Sequence, residues 1–240
     1  MPLKRILILG GTGLARQLAD ALVGRGYDVT SSLAGVTHSP LMPKGKLRVG
    51  GFGGVDGLLA TLKAEKFDFV VDATHAFAAR MSANAALVCG MVPVRLLRLE
   101  APAWVAQAGD RWITVASIAA AVLALPLGAK VVVTVGRKEV GQFFARADLS
   151  GVARMIESSE IQASPQWQVL LERPPFTVAA EIDLHRASDA QFLISKNAGG
   201  SRPAKLDAAA ALGLPVIMVA RPYKPAVQTF ENVAELLAAI

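Results

Sequence analysis

Lys4-Arg5-Ile6-Leu7-Ile8-Leu9-Gly10-Gly11-Thr12-Gly13-Leu14-Ala15-Arg16-Gln17-Leu18-Ala19 is a short apolar run that halts at three glycines and resumes with helical spacing. Ile6 to Leu9 are apolar without alternation, the pattern of a strand buried on both faces in a parallel sheet. Leu14, Leu18, Ala21 and Leu22 then recur at the period of a helix. Strand, glycine turn and helix in that order predict a nucleotide-binding start. Glycine admits positive φ and lets backbone N–H groups come close to a ligand, and a helix N-terminus favours phosphate. Gly10, Gly11, Thr12, Gly13 and Leu14 are the expected phosphate contacts. Gly11 and Gly13 followed by Arg16 match the dinucleotide fingerprint Gly-x-Gly-x-x-Gly only in part. The plainer alternative is a glycine turn that only reverses the chain.

Tyr27 to Ser32 reads as the second strand. An NAD-preferring site places an acid at the end of that strand to hold the ribose 2′-hydroxyl, but here the end carries Ser31 and Ser32, and Asp28 comes too early. This favours NADPH, with the two serines accepting a 2′-phosphate beside a cation such as Arg16. Two serines in an ordinary loop are the alternative.

A glycine- and proline-rich passage through Pro40 and Pro43 leads to a short strand at Leu47 and a second glycine loop, Gly50 to Gly54. Val55 to Leu62 reads as a helix and Phe67 to Thr74 as a buried strand. In open α/β sheets ligands lie beyond the carboxyl ends of the strands. Gly10 to Gly13, Ser31 and Ser32, Gly51, Phe52 and Gly53, and Ala73, Thr74 and His75 should therefore line one rim. His75 can pass a proton or orient a nicotinamide or substrate, or it can simply brace its loop; Asp72 is expected to cap the following helix.

Met81 to Cys89 fits a helix and Val92 to Arg98 a strand, with a boundary near Pro102 to Trp104. Beyond it, Ile118 to Leu125 reads as a helix and Lys130 to Val135 as a strand ending at Gly136-Arg137-Lys138. Ala153 to Glu157 reads as a strand, Phe176 to Arg186 as a helix, Gln191 to Ser195 and Leu214 to Ala220 as strands, and Val233 to Ile240 as a helix. The alternation predicts an α/β protein of two Rossmann-like units with mainly parallel sheets and a cleft between them, at 1–104 and 105–240. Lys196, Asn197, Gly199, Gly200, Ser201 and Lys205 form a candidate anion cradle, with Arg137, Lys138 and Arg221 as further cations; surface lysines in a solvated loop are the alternative.

The chain has 240 residues, of which 53% are hydrophobic, and a formal charge of +6. Its positive charges are scattered rather than clustered with aromatics, which argues against nucleic acid and suits an acidic small molecule in the folded protein. One cysteine and three separated histidines offer no metal-ligand spacing. No apolar stretch is long enough to span a bilayer and no secretory leader is evident, so no membrane association and a cytoplasmic location are expected.

The order of these segments resembles the precorrin-6A reductase family of cobalamin biosynthesis, including its cobalt-precorrin relatives. The resemblance runs end to end. It rests on Gly10 to Gly13 with Ala15-Arg16, Ser32 to Gly35, Arg48 to Gly54 and Asp72 to Ala78. It continues through Arg95-Leu96 with Trp104, Thr134 to Arg137, Pro175-Phe176 with Glu181, Lys196 to Gly200, and Lys205-Leu206 before Arg221-Pro222. Leu14, Val36, Ala76 and Ala198 depart from the Glu, Arg, Pro and Ser expected there. The resemblance implies NADPH-dependent reduction of one double bond in the precorrin-6A macrocycle to give precorrin-6B. The substrate's carboxylates would meet Arg137, Lys138, Lys196, Lys205 and Arg221, and neighbouring pathway enzymes are candidate partners. His75, Lys138 and Lys196 are the candidates for proton delivery, with positioning favoured for each over acid catalysis. Two other readings stand beside this one: an NADPH-dependent reductase of another anionic metabolite, and a non-catalytic NADPH-sensing protein.

Overall fold

The computed structural model describes residues 3–35 and 42–240; Val36 and Pro40 lie outside the described residues. In chain order the first elements are β1 (Arg5–Leu9), α1 (Gly13–Gly24), β2 (Asp28–Leu33), β3 (Lys46–Val49), α2 (Val55–Glu65), β4 (Phe69–Asp72), α3 (Ala79–Cys89) and β5 (Arg95–Leu99). There follow β6 (Trp112–Val115), α4 (Ile118–Leu123), β7 (Lys130–Val133), α5 (Gly141–Phe144), β8 (Ser150–Met155), β9 (Trp167–Leu171), α6 (Val178–Ala187) and β10 (Phe192–Lys196). The chain ends with α7 (Ala204–Ala211), β11 (Val216–Val219), β12 (Thr229–Phe230) and α8 (Val233–Ala239). It divides into two compact units, one of Met1–Pro102 with Tyr223–Ile240 and one of Ala103–Pro222.

The first unit's sheet runs β12-β5-β4-β1-β2-β3, with every pairing parallel. Ile6, Ile8, Val29, Phe69, Val71, Leu97 and Leu99 pack on one face with Leu18 and Leu22 of α1 and Leu236 of α8. Leu7, Leu9 and Val70 pack on the other with Leu58 and Leu62 of α2 and Ala85 and Val88 of α3. Both faces of β1 are thus covered, which accounts for its unalternated apolar sequence. The direction of winding reverses between β1 and β4, and the carboxyl ends of these strands define the crevice where such sheets take ligands.

The expected second unit at 105–240 is corrected at its C-terminal end. Residues 223–240 return to the first sheet, where β12 pairs with β5 through Thr229↔Arg98 and Phe230↔Leu99. Phe230, Val233 and Leu237 find their apolar partners in the α1-covered face, so burial overrides chain order.

The second unit's sheet runs β6-β11-β10-β7-β8-β9, again wholly parallel. Val132, Val152, Leu193, Val216 and Met218 pack with Leu206 and Ala209 of α7. Winding reverses between β7 and β10, whose carboxyl ends are joined by a 3.0 Å bond from Thr134 N to Ile194 O. β6, β9 and β12 were not expected from the sequence, and the strand expected at 153–157 begins at Ser150 instead. Two causes are local. β6 and β9 are edge strands carrying exposed Ile113, Val169 and Leu171, which weakens their apolar pattern. Gly151, a poor strand former, is demanded by packing, since a Cβ there would lie 2.0 Å from Val131 O. The strand expected at 92–98 begins only at Arg95.

Candidate active site

In the first unit the glycine turn after β1 is tied to both neighbouring strands. Gly10 N donates to Ser32 O at 2.9 Å, and Thr12 Oγ1 donates to Ala73 O at 2.9 Å. Thr12 also caps α1 by accepting from Ala15 N at 3.1 Å. Its hydroxyl is therefore a brace, while the Gly13 and Leu14 N–H groups have no intrahelical acceptor. Gly11 has φ +110°, which requires glycine, and a Cβ at Gly13 would meet no protein atom within 4 Å. Leu14 turns its side chain onto the core.

The loop after β3 repeats this openness, because Cβ atoms at Gly50, Gly51, Gly53 and Gly54 would also meet nothing within 4 Å. Arg48, at the end of β3, donates to Gly50 O at 2.6 Å and Gly51 O at 2.9 Å and stacks on Phe52 with 3.9 Å to the ring centroid. Its guanidinium also reaches Ser32 Oγ at 3.4 Å. Ser31 is 2% exposed and Ser32 6%. Both serines are buried at the end of β2, and of the two it is Ser32 that the Arg48 guanidinium reaches. Arg16 has no side-chain hydrogen bond or ion pair among the described residues, and Arg48 stands where a basic neighbour of Ser32 was sought. The signal for Arg48 was its place on a strand end in the glycine loop, two residues before Gly50.

After β4, Asp72 does not cap α3, whose N-terminus has no side-chain cap. It accepts from Thr74 Oγ1 at 2.7 Å and from Arg98 Nε at 3.1 Å. Burial pushes the carboxyl up, but the Thr74 hydrogen bond and the Lys224 and Arg98 cations outweigh it, holding Asp72 below the usual carboxylate range. His75 is exposed, and its Nδ1 accepts from Phe77 N at 3.2 Å, so one ring nitrogen serves the turn. Lys224 from the returning chain bonds to Glu100 Oε2 and reaches His75 O at 3.4 Å. Ala73 is fully buried beneath this loop.

In the second unit the rim at the ends of β7 and β10 is crowded with cations. Lys205 Nζ donates to Thr134 Oγ1 at 2.9 Å and lies 5.9 Å from the Trp104 ring centroid. Burial, reinforced by Arg154 and Lys196 and opposed by Glu181, brings Lys205 down to about 8. Lys196 pairs with Glu139 at 3.1 Å and Arg137 with Glu157 at 3.8 Å, whereas Lys138 is exposed. Gly199 and Gly200 have φ of +80° and +82°. Trp104 Nε1 donates to Gly200 O and Ser201 O at 3.0 and 3.2 Å. Arg221 bonds to the carbonyls of Asn197 and Ala198 at 3.1 and 2.9 Å.

Asn197 was expected to contact substrate. Its amide accepts from Trp104 N at 2.8 Å and donates to Trp104 O at 2.9 Å, so it braces the cradle. Trp104 and Glu139, both outside the expected site, thus shape its loops. Among the described residues no cluster of three or more His, Cys, Asp or Glu side chains could hold a metal, and no helix is long and apolar enough to cross a membrane.

Residues 5–240 match the family model described as Precorrin-6x reductase CbiJ/CobK. The chain is 43% identical to the precorrin-6A reductase of Rhodococcus erythropolis over 240 residues, covering 98% of this chain and 97% of that one. It is 42% identical to the precorrin-6A reductase of Rhodobacter capsulatus over 227 residues, covering 93% and 90%. A solved structure described as CobK precorrin-6A reductase is similar throughout, with a TM-score of 0.92, 40% identity, and coverage of 99% of this chain and 96% of that one.

Proposed function

Because this chain belongs to the precorrin-6x reductase family, we propose that it reduces precorrin-6A to precorrin-6B in cobalamin biosynthesis, using NADPH. The observation that carries the cofactor assignment is the rim at the β1/β4 reversal. There a positive-φ glycine, a helix start with unused N–H groups and side-chain-free space at Gly13 converge. These features fit a dinucleotide pyrophosphate. Arg48, beside Ser32, fits a 2′-phosphate better than a bare ribose hydroxyl, because a guanidinium forms charge-assisted bonds to phosphate oxygens.

When bound, the nicotinamide supplies the hydride, and the reduction is completed by one proton from solvent. The chain's own residues bind and orient. Gly11 to Leu14 receive phosphate, the His75 loop fixed by Asp72, Arg98 and Lys224 borders the site, and Arg48 selects the cofactor. The second unit's rim offers Lys138, Lys196, Lys205 and Arg137 to the macrocycle's carboxylates, while Gly199, Gly200 and Ser201, held by Trp104 and Arg221, shape the cradle. His75 serves a backbone N–H, Lys196 serves Glu139 and Lys138 is solvated, so each takes a positioning role rather than that of a dedicated acid. This reading carries with it a cytoplasmic location. Anaerobic incubation with precorrin-6A tests it: NADPH consumption with a matching change in the macrocycle's visible spectrum is expected. NADPH binding with no change in any tetrapyrrole would refute the substrate assignment.

A further inference from the structure

The loop between β10 and α7 spends most of its carbonyl groups on side chains, while a run of its N–H groups goes unused. Arg221 donates to Asn197 O at 3.1 Å and to Ala198 O at 2.9 Å. The Trp104 indole Nε1 donates to Gly200 O at 3.0 Å and to Ser201 O at 3.2 Å. The backbone N–H groups of Gly199, Gly200, Ser201 and Arg202, by contrast, make no hydrogen bond among the described residues. Gly200 and Ser201 are exposed.

Peptide geometry turns this imbalance into a direction. In a trans peptide the carbonyl of one residue and the N–H of the next lie in one plane and point opposite ways. The Gly200 carbonyl shares its peptide with the Ser201 N–H, and the Ser201 carbonyl shares its peptide with the Arg202 N–H. One indole hydrogen holds both carbonyls, so both N–H groups face away from Trp104. Gly199 and Gly200, at φ +80° and +82°, allow the chain this course, and successive free N–H groups beside such residues form an anion-binding concavity.

The neighbours divide the remaining roles. Trp104 is itself held by the Asn197 amide, at its N by 2.8 Å and at its O by 2.9 Å. The Arg202 guanidinium is spent on Asp110, at 2.6 and 3.0 Å, and on Asp207, at 2.6 Å, so this residue offers a ligand only its backbone N–H. The available charge is Lys205, in the first turn of α7. Its Nζ lies 5.9 Å from the Trp104 ring centroid and has Thr134 Oγ1 as its one hydrogen-bond partner among the described residues, which leaves ammonium hydrogens unused.

We propose that Trp104 is a positioning residue: its indole N–H turns the Ser201 and Arg202 N–H groups outward as a backbone site for one carboxylate, with the Lys205 ammonium as the charge beside it. A carboxylate has two oxygens and can accept from both N–H groups at once, and bonds to an ionised oxygen are stronger than neutral ones. Without the indole donor, peptides loosened by two glycines are free to turn over. That the carboxylate belongs to the macrocycle rests on the function proposed above; the carboxylate site itself does not.

The probe is citrate, titrated at neutral pH into the intact ¹⁵N-labelled protein against sodium chloride of matched ionic strength. The Ser201 and Arg202 amide protons should move downfield to saturation with citrate and stay in place with chloride. Trp104→Phe keeps a ring near Lys205 but has no donor; it should bind citrate roughly tenfold more weakly, the loss of one charge-assisted contact, with both amide shifts reduced. Lys205→Gln removes the charge and keeps the clamp, so it should weaken binding but leave both shifts at saturation. Thermal unfolding reports whether each variant is folded, and the parent spectra decide the site without any variant. Parent amides that do not move, or citrate bound equally tightly by folded Trp104→Phe, overturn the proposal. The KM for precorrin-6A should rise in Trp104→Phe with kcat retained. An unchanged KM beside the expected citrate results would fault the substrate assignment and leave the carboxylate site standing.

Discussion

Arg98 Nε lies 3.1 Å from Asp72 Oδ2 with the two side chains only 7% and 1% exposed. The same guanidinium bonds to Pro225 O at 3.0 Å, so one buried pair ties the end of β4, strand β5 and the returning chain together. Breaking a buried pair leaves an uncompensated charge, which costs about 3–5 kcal/mol. Asp72→Asn or Arg98→Met should lower stability by that order in urea unfolding. The double variant Asp72→Leu with Arg98→Met should recover part of the loss, because no lone charge remains.

Gly13 separates ligand from fold. Gly13→Leu places its side chain where no protein atom lies within 4 Å of the Cβ and replaces a poor helix former at the start of α1. Thermal stability should stay within about 1 kcal/mol of the parent. NADPH affinity, measured by calorimetry, should fall by roughly tenfold or more, equivalent to about 1.4 kcal/mol. Unchanged affinity would remove the phosphate from this turn.

Arg48 is predicted to choose between the two nicotinamide cofactors. Arg48→Met keeps an apolar contact with Phe52 but removes the cation beside Ser32. The KM for NADPH should rise roughly tenfold, the loss of one charge-assisted contact of about 1.4 kcal/mol, while the KM for NADH stays unchanged. A parallel rise for both would make Arg48 a structural support of the glycine loop.

His185 gives the protein an acid-sensitive core. Burial, reinforced by the Arg154 cation, brings His185 down to about 4 from an ordinary 6.5. The unfolded chain therefore binds the proton first as pH falls. The stabilising contribution is present above about 6.5 and is lost as pH drops toward 4, to an extent of up to about 3 kcal/mol. His185→Leu should flatten the slope of unfolding free energy between pH 6.5 and 4.5, and an equally steep slope in the variant would contradict this.

The sequence carried the local pattern of both sheets and the location of both rims at strand ends, because doubly covered parallel strands are apolar throughout and their loops need glycine. It did not carry the return of 223–240, since which sheet edge β12 occupies depends on a partner, β5, far away in the chain. The roles of individual side chains were hidden for a similar reason. The sequence alone does not show that Trp104 takes both ends of the Asn197 amide, or that β2–β3 pairing brings Arg48 to Ser32 rather than Ser31. The charged cluster of Arg154, Glu181 and His185 was invisible as a unit because β8 and α6 contribute isolated residues to it.

The most direct measurement is hydride tracing: anaerobic turnover of precorrin-6A with NADPH deuterated at the transferred position, and product mass determined beside an unlabelled control and an NADH arm. The account predicts a macrocycle one mass unit heavier than the product from unlabelled NADPH, and faster conversion with NADPH than with NADH. A reduced macrocycle without deuterium, or equal rates from both cofactors, would contradict it.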